Sequence, residues 1–461
     1  MLRTRITITS ALLLMCFAPA FAQQTPPIVP KIKETPLPAP VTLPPPPAVS
    51  PDVPNRPLTA EEAAAIALHH QPGITIAQAS INAAKGRVKQ ARSGLLPTVH
   101  GTAGYTNTAL NPADLPVLNN GYQLSASLNQ LIFDFNHTRD VVREAQAQQT
   151  AAGANLTRAQ SDLVLQVKQA FYTYAQNIRL VSVNEANVKA AQSHLALAQA
   201  RLNTGLGLPA DVVRAQTAVA DAIFNLNLAN NNAANSRVAL AELMGIDPRT
   251  PVEPADTSEP PMATNDVNAL VNQAIAQRPE MKQAQANIVA SRYGLSAAKT
   301  SNAPALTATA GWLQRGSDFP PGDDTLTYGV ALQFTPFDAG LTAGRVEEAR
   351  ANLQAAQAQL DSTRLGVISD VSQAYLNLRT AEQRAVTADA EYANAQEALR
   401  LVEGRYKAGM GTFLDVLDAQ TALVTADTNR VNAISAVNQA RAALARAIGC
   451  MNLSQTASAK K

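Results

Sequence analysis

The sequence predicts a mostly α-helical protein that also carries a membrane β-sheet, assembled from two copies of one long-helix hairpin unit. Three observations predict it. The chain repeats itself at a constant offset of 204 residues, proline-free stretches carry an apolar stripe of period seven, and shorter segments just ahead of them alternate with period two.

The N-terminus sets the compartment. Arg3 and Arg5 precede an apolar run from Ala11 to Ala20, and Ala20-Phe21-Ala22 before Gln23 fits a small-x-small cleavage site. Residues 1–22 therefore read as a secretory signal peptide. An acylated cysteine normally follows a small residue, whereas Met15 precedes Cys16, so ordinary cleavage after Ala22 without a lipid anchor is favoured. Residues 23–57 are rich in proline, including Pro44-Pro45-Pro46-Pro47, and read as an extended, disordered tether. After cleavage Cys450 alone remains, which excludes an intrachain disulfide. No later stretch offers about 18 consecutive apolar residues, so no helical membrane span is expected. A net charge of +2 with 16% charged residues gives no reason to expect nucleic acid. Aromatic residues make up only 4%, and the abundant small residues suit close helix–helix packing in a long assembly better than a globular core.

The repeat organises the rest. Phe133-Asp134 returns as Phe337-Asp338, Ala170-Phe171 as Ala374-Tyr375, Arg201 as Arg405, Gly205 as Gly409, Asp211 as Asp415 and Gln216 as Gln420, all at an offset of 204. Upstream, Gln71-Pro72 and Pro97 return as Arg278-Pro279 and Pro304 at an offset of 207, which places a small length change between Pro97 and Phe133. The expected division is a first repeat over 58–245, a proline-rich linker over 246–265, a second repeat over 266–450 and a tail over 451–461.

Each repeat reads helix, strand, loop, strand, very long helix, turn, helix. Between Asn136 and Thr204 there is no proline, and Val167, Tyr174, Val181, Val188, Leu195 and Leu202 form an apolar heptad series. Val371, Leu378, Ala385, Tyr392, Leu399 and Tyr406 repeat it. A period of seven predicts a left-handed coiled-coil seam. The neighbouring series Val164, Phe171, Ile178 turns polar at Glu185, Gln192 and Gln199, which predicts water on that side at the far end. The long helix should reach roughly 100 Å, the returning helix near Pro209 to Met244 about 54 Å, and the helix from Pro72 to Leu95 about 36 Å. The two shorter helices are thus expected to stack end to end beside the long one.

The strand segments are 98–107, 121–131, 305–313 and 326–335. Val99, Gly101, Ala103 and Tyr105 share one face, as do Tyr122, Leu124, Ala126 and Leu128, then Leu306, Ala308, Ala310 and Trp312, then Tyr328, Val330, Leu332 and Phe334. Each segment has about the ten residues of a tilted transmembrane strand with one lipid face and one wet face. Loops 108–120 and 314–325 carry Asn, Asp, Pro and Gly. Four strands fall short of the roughly eight that the smallest closed barrel needs, and open edges are not tolerated in lipid. Several chains must therefore share one barrel; three would supply twelve strands.

With the repeat, the strand-then-long-helix order and Thr335-Pro336-Phe337-Asp338-Ala339-Gly340 in place, the chain closely resembles the TolC-type outer membrane efflux family from Leu58 to Cys450. The first copy, Leu131-Ile132-Phe133-Asp134-Phe135-Asn136, lacks the proline and the final glycine. The resemblance implies a homotrimer in which four strands per protomer complete a shared 12-stranded outer-membrane β-barrel, continued by a trimeric α-barrel tunnel through the periplasm. It also implies a periplasmic adaptor (membrane fusion) protein and an inner-membrane transporter as partners.

The long helices end at Arg201-Leu202-Asn203-Thr204-Gly205-Leu206-Gly207-Leu208-Pro209 and Arg405-Tyr406-Lys407-Ala408-Gly409-Met410-Gly411-Thr412. Gly205 and Gly409 suit left-handed residues just past a helix end, with Pro209 at the first turn of the next helix. The resemblance makes these tips, through Arg201, Leu202, Gly205, Leu206, Gly207, Arg405, Gly409, Met410 and Gly411, the adaptor-docking surface. Thr412 with Asp415 resembles a capping box. The resemblance instead places Asp415 and Asp418 at the periplasmic aperture, as rings of carboxylates that favour cations. Tyr406 matches a position that helps hold the aperture closed. Where the family has an arginine two residues past the tip glycine, this chain has Gly411, which weakens the case for Asp211 as its partner.

No catalytic residue, cofactor or metal site is expected. His69, His70, His100, His137 and His194 are scattered, and no Gly-x-Ser-x-Gly, phosphate-binding loop or dinucleotide fingerprint occurs. The expectation is a passive exit channel for efflux or type I secretion; the alternatives are a non-channel periplasmic coiled-coil adaptor and a structural envelope protein.

Overall fold

The computed structural model describes residues 56–108, 119–255, 258–260 and 266–451. The expected signal peptide, nearly all of the proline-rich tether, loop residues 109–118, parts of the linker (256–257 and 261–265) and the tail beyond Met451 lie outside the described residues.

The elements come in two matched sets. The first is α1 (Ala60–His70), α2 (Pro72–Ser93), β1 (Thr98–Thr108), β2 (Asn119–Phe133), α3 (His137–Asn203) and α4 (Pro209–Leu243). The second is α5 (Val267–Gln277), α6 (Pro279–Thr300), β3 (Ala305–Gly316), β4 (Asp323–Gln333), α7 (Leu341–Lys407) and α8 (Phe413–Ala447). The long helices α3 and α7 have 67 residues each, and their return helices α4 and α8 have 35 each.

Local chemistry explains the boundaries. Thr59 and Glu62 form a reciprocal capping box that starts α1, with Glu62 N–H donating to Thr59 Oγ1 at 3.2 Å and Thr59 N–H to Glu62 Oε2 at 3.0 Å. Pro72 and Pro279 force the preceding Gln71 and Arg278 into extended backbone, which separates α1 from α2 and α5 from α6. Each long helix leaves its strand through a left-handed corner, Asn136 at φ 66° and Gly340 at φ 87°. Asp134 and Asp338 cap these helices, accepting from the N–H of Thr138 at 2.7 Å and of Thr342 at 2.8 Å. The repeated Phe-Asp pair is therefore a helix-starting device.

α2 and α4 stack end to end along α3, as their lengths predict. Gln71 at the head of α2 donates to the carbonyl of Leu243, the last residue of α4, at 3.3 Å. Gly245, at φ 71°, presses so closely on the chain there that a Cβ would stand 2.8 Å from the His70 carbonyl oxygen. Gly449 meets the Gln277–Arg278 backbone in the matching way beside α8 and α6. Along α3, Val167 and Tyr174 are buried, the later seam members Val181 to Leu202 are half-buried, and Glu185, Gln192 and Gln199 face water.

The cores follow this arrangement. One cluster joins α1, the middle of α3 and the end of α4 around Phe171, Val167 and Leu240; a second joins α5, α7 and the end of α8 around Val371 and Leu270. A third sits at the far end, where Ala198, Ala215, Tyr406, Phe413 and Val416 meet.

The four strands form one antiparallel sheet in the order β1-β2-β3-β4, with β1 and β4 at its edges. The central β2–β3 pairing joins the two repeats, with Leu128 opposite Ala310 and a bulge at Leu131–Phe133. The ladders extend beyond the expected spans: Gln314 and Arg315 pair with Asp324 and Asp323, so the loop expected over 314–325 shrinks. Those polar residues continue the hydrogen bonding after the apolar alternation has stopped, which is why periodicity missed them. At the other end Phe334 and Thr335 leave the ladder ahead of Pro336, which disfavours continuation.

Candidate functional site

Three regions bear on function: the sheet, the helix tips and a polar junction at mid-height.

The register separates a mainly apolar face of the sheet from a mainly polar one. Val99 stands opposite Leu128, Leu128 opposite Ala310 and Ala310 opposite Tyr328; Gly101, Ala126, Trp312 and Leu326 form the next row. Directly opposed residues share a face, so all four strands contribute to one mainly apolar surface, interrupted by Gln130 and, at the loop end, by Gln314 and Asp324. Tyr328 is 84% exposed, Val99 70% and Val330 64%, so in the single chain this surface is uncovered. The reverse face carries Thr102, Ser125, Thr309 and Thr327. No helix among the described residues is long and apolar enough to cross a membrane.

At the opposite end of the molecule, α3 and α7 each close in a glycine turn. Gly205 (φ 74°) and Gly409 (φ 76°) adopt the left-handed conformation, with Leu206 N–H donating back to Arg201 O at 2.9 Å and Met410 N–H to Arg405 O at 2.8 Å. These are Schellman turns, which satisfy the last helical carbonyls. A Cβ on Gly207 would stand 2.8 Å from the backbone N of Leu202, so the returning chain needs glycine there. Gly411 lies over Arg405 and Tyr406 in the same way, with more room. Leu206 and Met410 project from the turns, 74% and 69% exposed.

Behind the turns, Tyr406 is buried and its ring lies 5.6 Å from that of Phe413. Arg201 reaches from α3 to α7: its guanidinium lies over the Tyr406 ring and donates to the Tyr406 carbonyl oxygen. Arg201 is thus engaged within the chain, whereas Arg405, its counterpart in the second repeat, is exposed. Asp211 pairs with Arg214 at 3.7 Å. Burial pushes the Tyr406 phenol up, Arg201 pulls it down, and Asp211 pushes it up again. Thr412 and Asp415 form a capping box at the head of α8, with Asp415 N–H donating to Thr412 Oγ1 at 3.2 Å and Thr412 N–H to Asp415 Oδ2 at 2.9 Å. Hydrogen bonds from the Thr412 backbone and side chain hold the Asp415 carboxyl below its usual range. Asp418 is exposed one turn further on. Higher up, α3, α4 and α8 line a cavity of about 570 Å³ whose wall includes His194 and Gln420; Gln420 donates to Asn187 of α3 at 3.1 Å.

Mid-height holds polar groups that periodicity did not single out. Lys168, buried beside the seam residue Val167, pairs with Glu259 of the linker at 2.6 Å, and Tyr172 donates to the same carboxylate at 3.1 Å. Asn438 and Arg441 of α8 bind the Glu259 backbone at 3.2 and 3.0 Å. Nearer the sheet lies a second cluster, in which Arg446 of α8 bridges Asp162 of α3 at 2.5 Å and Glu280 of α6 at 2.6 Å, while Arg278 joins Glu280 to Asp370 of α7. Burial alone would raise the Glu280 carboxyl, but hydrogen bonds and charge from Arg278, with Arg446 beside it, hold it at about 2. Among the described residues no group of His, Cys, Asp and Glu could hold a metal ion.

The family model described as "Outer membrane efflux protein" matches residues 64–246 and 270–450. The chain is 26% identical over 378 residues to protein CyaE of Bordetella pertussis, covering 80% of this chain and 79% of that one. It is 26% identical over 383 residues to the outer membrane protein TolC of Escherichia coli, covering 78% and 76%. In fold it is similar to the crystal structure of the outer membrane protein VceC from Vibrio cholerae, with a TM-score of 0.75 at 21% identity over 85% of this chain and 96% of that one.

Proposed function

Because the chain belongs to the outer membrane efflux protein family, we propose that it is the exit channel of a tripartite efflux or type I secretion system, conducting substrates passively out of the cell. Its place is the outer membrane. Three copies merge their sheets into one 12-stranded barrel, and their long helices continue it as a tunnel through the periplasm. The observation that carries this reading is the sheet, which has a predominantly apolar face and two open edges. Hydrocarbon supplies no partner for the N–H and C=O groups of an edge strand, and the four strands among the described residues are too few to close alone. Neighbouring copies of the same chain meet both needs.

The helix tips serve the rest of the conduit. Leu206 and Met410, held out on rigid turns built by Gly205, Gly207, Gly409 and Gly411 between Arg201-Leu202 and Arg405, suit docking of a periplasmic adaptor, which links the channel to an inner-membrane transporter. Asp415 and Asp418, repeated in each copy, ring the periplasmic aperture and favour cations. Tyr406 holds the aperture closed, with Asp211 beside it. Residues 1–22 are removed on export. Single-channel recording on the detergent-purified protein tests the reading: the expected result is a trimer forming discrete, cation-selective pores. A monomer that stays in solution without detergent and conducts nothing overturns it.

A further inference from the structure

The two repeats meet inside one chain, and the way they meet specifies how one copy meets the next. Within the chain, α6 and α8 of the second repeat lie against α3 of the first. Three contacts mark this junction from the membrane end to the tip. A Cβ on Gly294 of α6 would stand 3.3 Å from the carboxylate of Glu144, a group whose burial raises its pKa. Gln420 of α8 donates to Asn187 at 3.1 Å. Arg201 donates to the carbonyl oxygen of Tyr406. Among the described residues α7, the counterpart of α3, has no comparable neighbour from the other repeat. Leu376 on its open side is 63% exposed, although its counterpart Tyr172 is buried against α8.

We infer that α2 and α4 of a second copy of this chain fill that side of α7, and that the contacts are the offset images of the three just named. This rests on the multi-copy barrel proposed above. Shifting Glu144 by 204 gives Glu348, and shifting Gly294 back by 207 gives Arg87, so a glycine facing a carboxylate becomes an arginine facing one. Asn187 and Gln420 become Glu391 and Gln216, an amide donor facing a carboxylate. Arg201 and Tyr406 become Arg405 and Leu202, in which the backbone carbonyl can still accept but the aromatic ring is gone.

Two of the exchanged pairs, Arg87 with Glu348 and Gln216 with Glu391, are chemically complementary. Arg87, Glu348, Gln216, Glu391 and Arg405 are all exposed in the single chain. α2 carries Lys85, Arg87, Lys89 and Arg92 with no acidic residue, and Glu347 and Glu348 stand together on α7. Tyr172 accepts from Ser435 within the chain, so the image pair is Leu376 against Asn231, one turn from Leu228, which is 51% exposed. Each link between copies thus has ion pairing where the link within the chain has a glycine, and it lacks the ring that Arg201 covers. The six junctions around the tunnel alternate in kind, and the tips separate first between copies.

The test is charge exchange combined with cross-linking in the full-length protein purified in detergent. Arg87→Glu and Glu348→Arg should each lower the fraction of trimer surviving on gels several-fold, and the double exchange should restore it. In a Cys450→Ser background, Arg87→Cys with Glu348→Cys should yield covalent trimer with a short bismaleimide, whereas Arg87→Cys with Glu382→Cys should not. An intact trimer in which the first pair fails to cross-link and the double exchange rescues nothing overturns the inference and leaves the channel reading standing. An unaltered chain that never forms a trimer overturns both.

Discussion

The guanidinium of Arg201 stands 4.5 Å from the centroid of the Tyr406 ring, tying the last turn of α3 to the last turn of α7. A cation–π contact contributes about 0.5–2 kcal/mol. If this clasp keeps the aperture shut, Tyr406→Leu should raise the open fraction in planar bilayers about twofold to thirtyfold, and Arg201→Ala should do the same. The double variant should gain little over Arg201→Ala, because that change already removes both the ring contact and the hydrogen bond to the Tyr406 carbonyl. Additive effects would show that the two residues act separately.

The two aspartates beyond the second tip should differ in one respect and agree in another. Asp415 caps α8 as well as carrying charge, so Asp415→Ala should lower the thermal unfolding midpoint while Asp418→Ala leaves it nearly unchanged. Both should reduce cation selectivity, read as a smaller reversal potential in a salt gradient. Unchanged selectivity in the double variant would remove them from the pore lining.

On the sheet, Val330 and Thr327 sit in one strand on opposite faces. Val330→Arg puts a charge on the lipid face and should destabilise the barrel by about 2–4 kcal/mol near the bilayer midplane. Thr327→Arg faces water and should leave stability nearly unchanged while lowering conductance. Equal costs in an unfolding titration from lipid vesicles would show the faces assigned wrongly.

The arginines around Glu280 give the helices a defined acid limit. The folded carboxyl sits at about 2 against an ordinary 4.5, so its stabilising contribution is present above 4.5 and is lost as pH falls towards 2. Glu280→Gln should remove that contribution and flatten acid unfolding across this window, followed by circular dichroism. Superimposable profiles would show that the cluster contributes nothing.

Much of this arrangement was legible in the sequence because it rests on short-range patterns. Val167, Tyr174 and Val181 announce their seam by spacing alone, Tyr328 and Val330 announce their face by alternation, and Gly205 and Gly409 announce turns that only a left-handed residue closes. What escaped depends on partners distant in the chain. Lys168 looks like a polar neighbour of the seam, and only folding brings the linker's Glu259 to it. Asp134 was visible as a repeated residue, but its capping role needs the left-handed corner at Asn136. Arg201 read as part of an exposed tip because nothing local shows that α7 ends beside it.

The open rims of β1 and β4 also govern how such a molecule is born. A copy that reaches the bilayer by itself has nowhere to hide its unpaired backbone, so insertion into lipid is coupled to the arrival of neighbours that cover both rims.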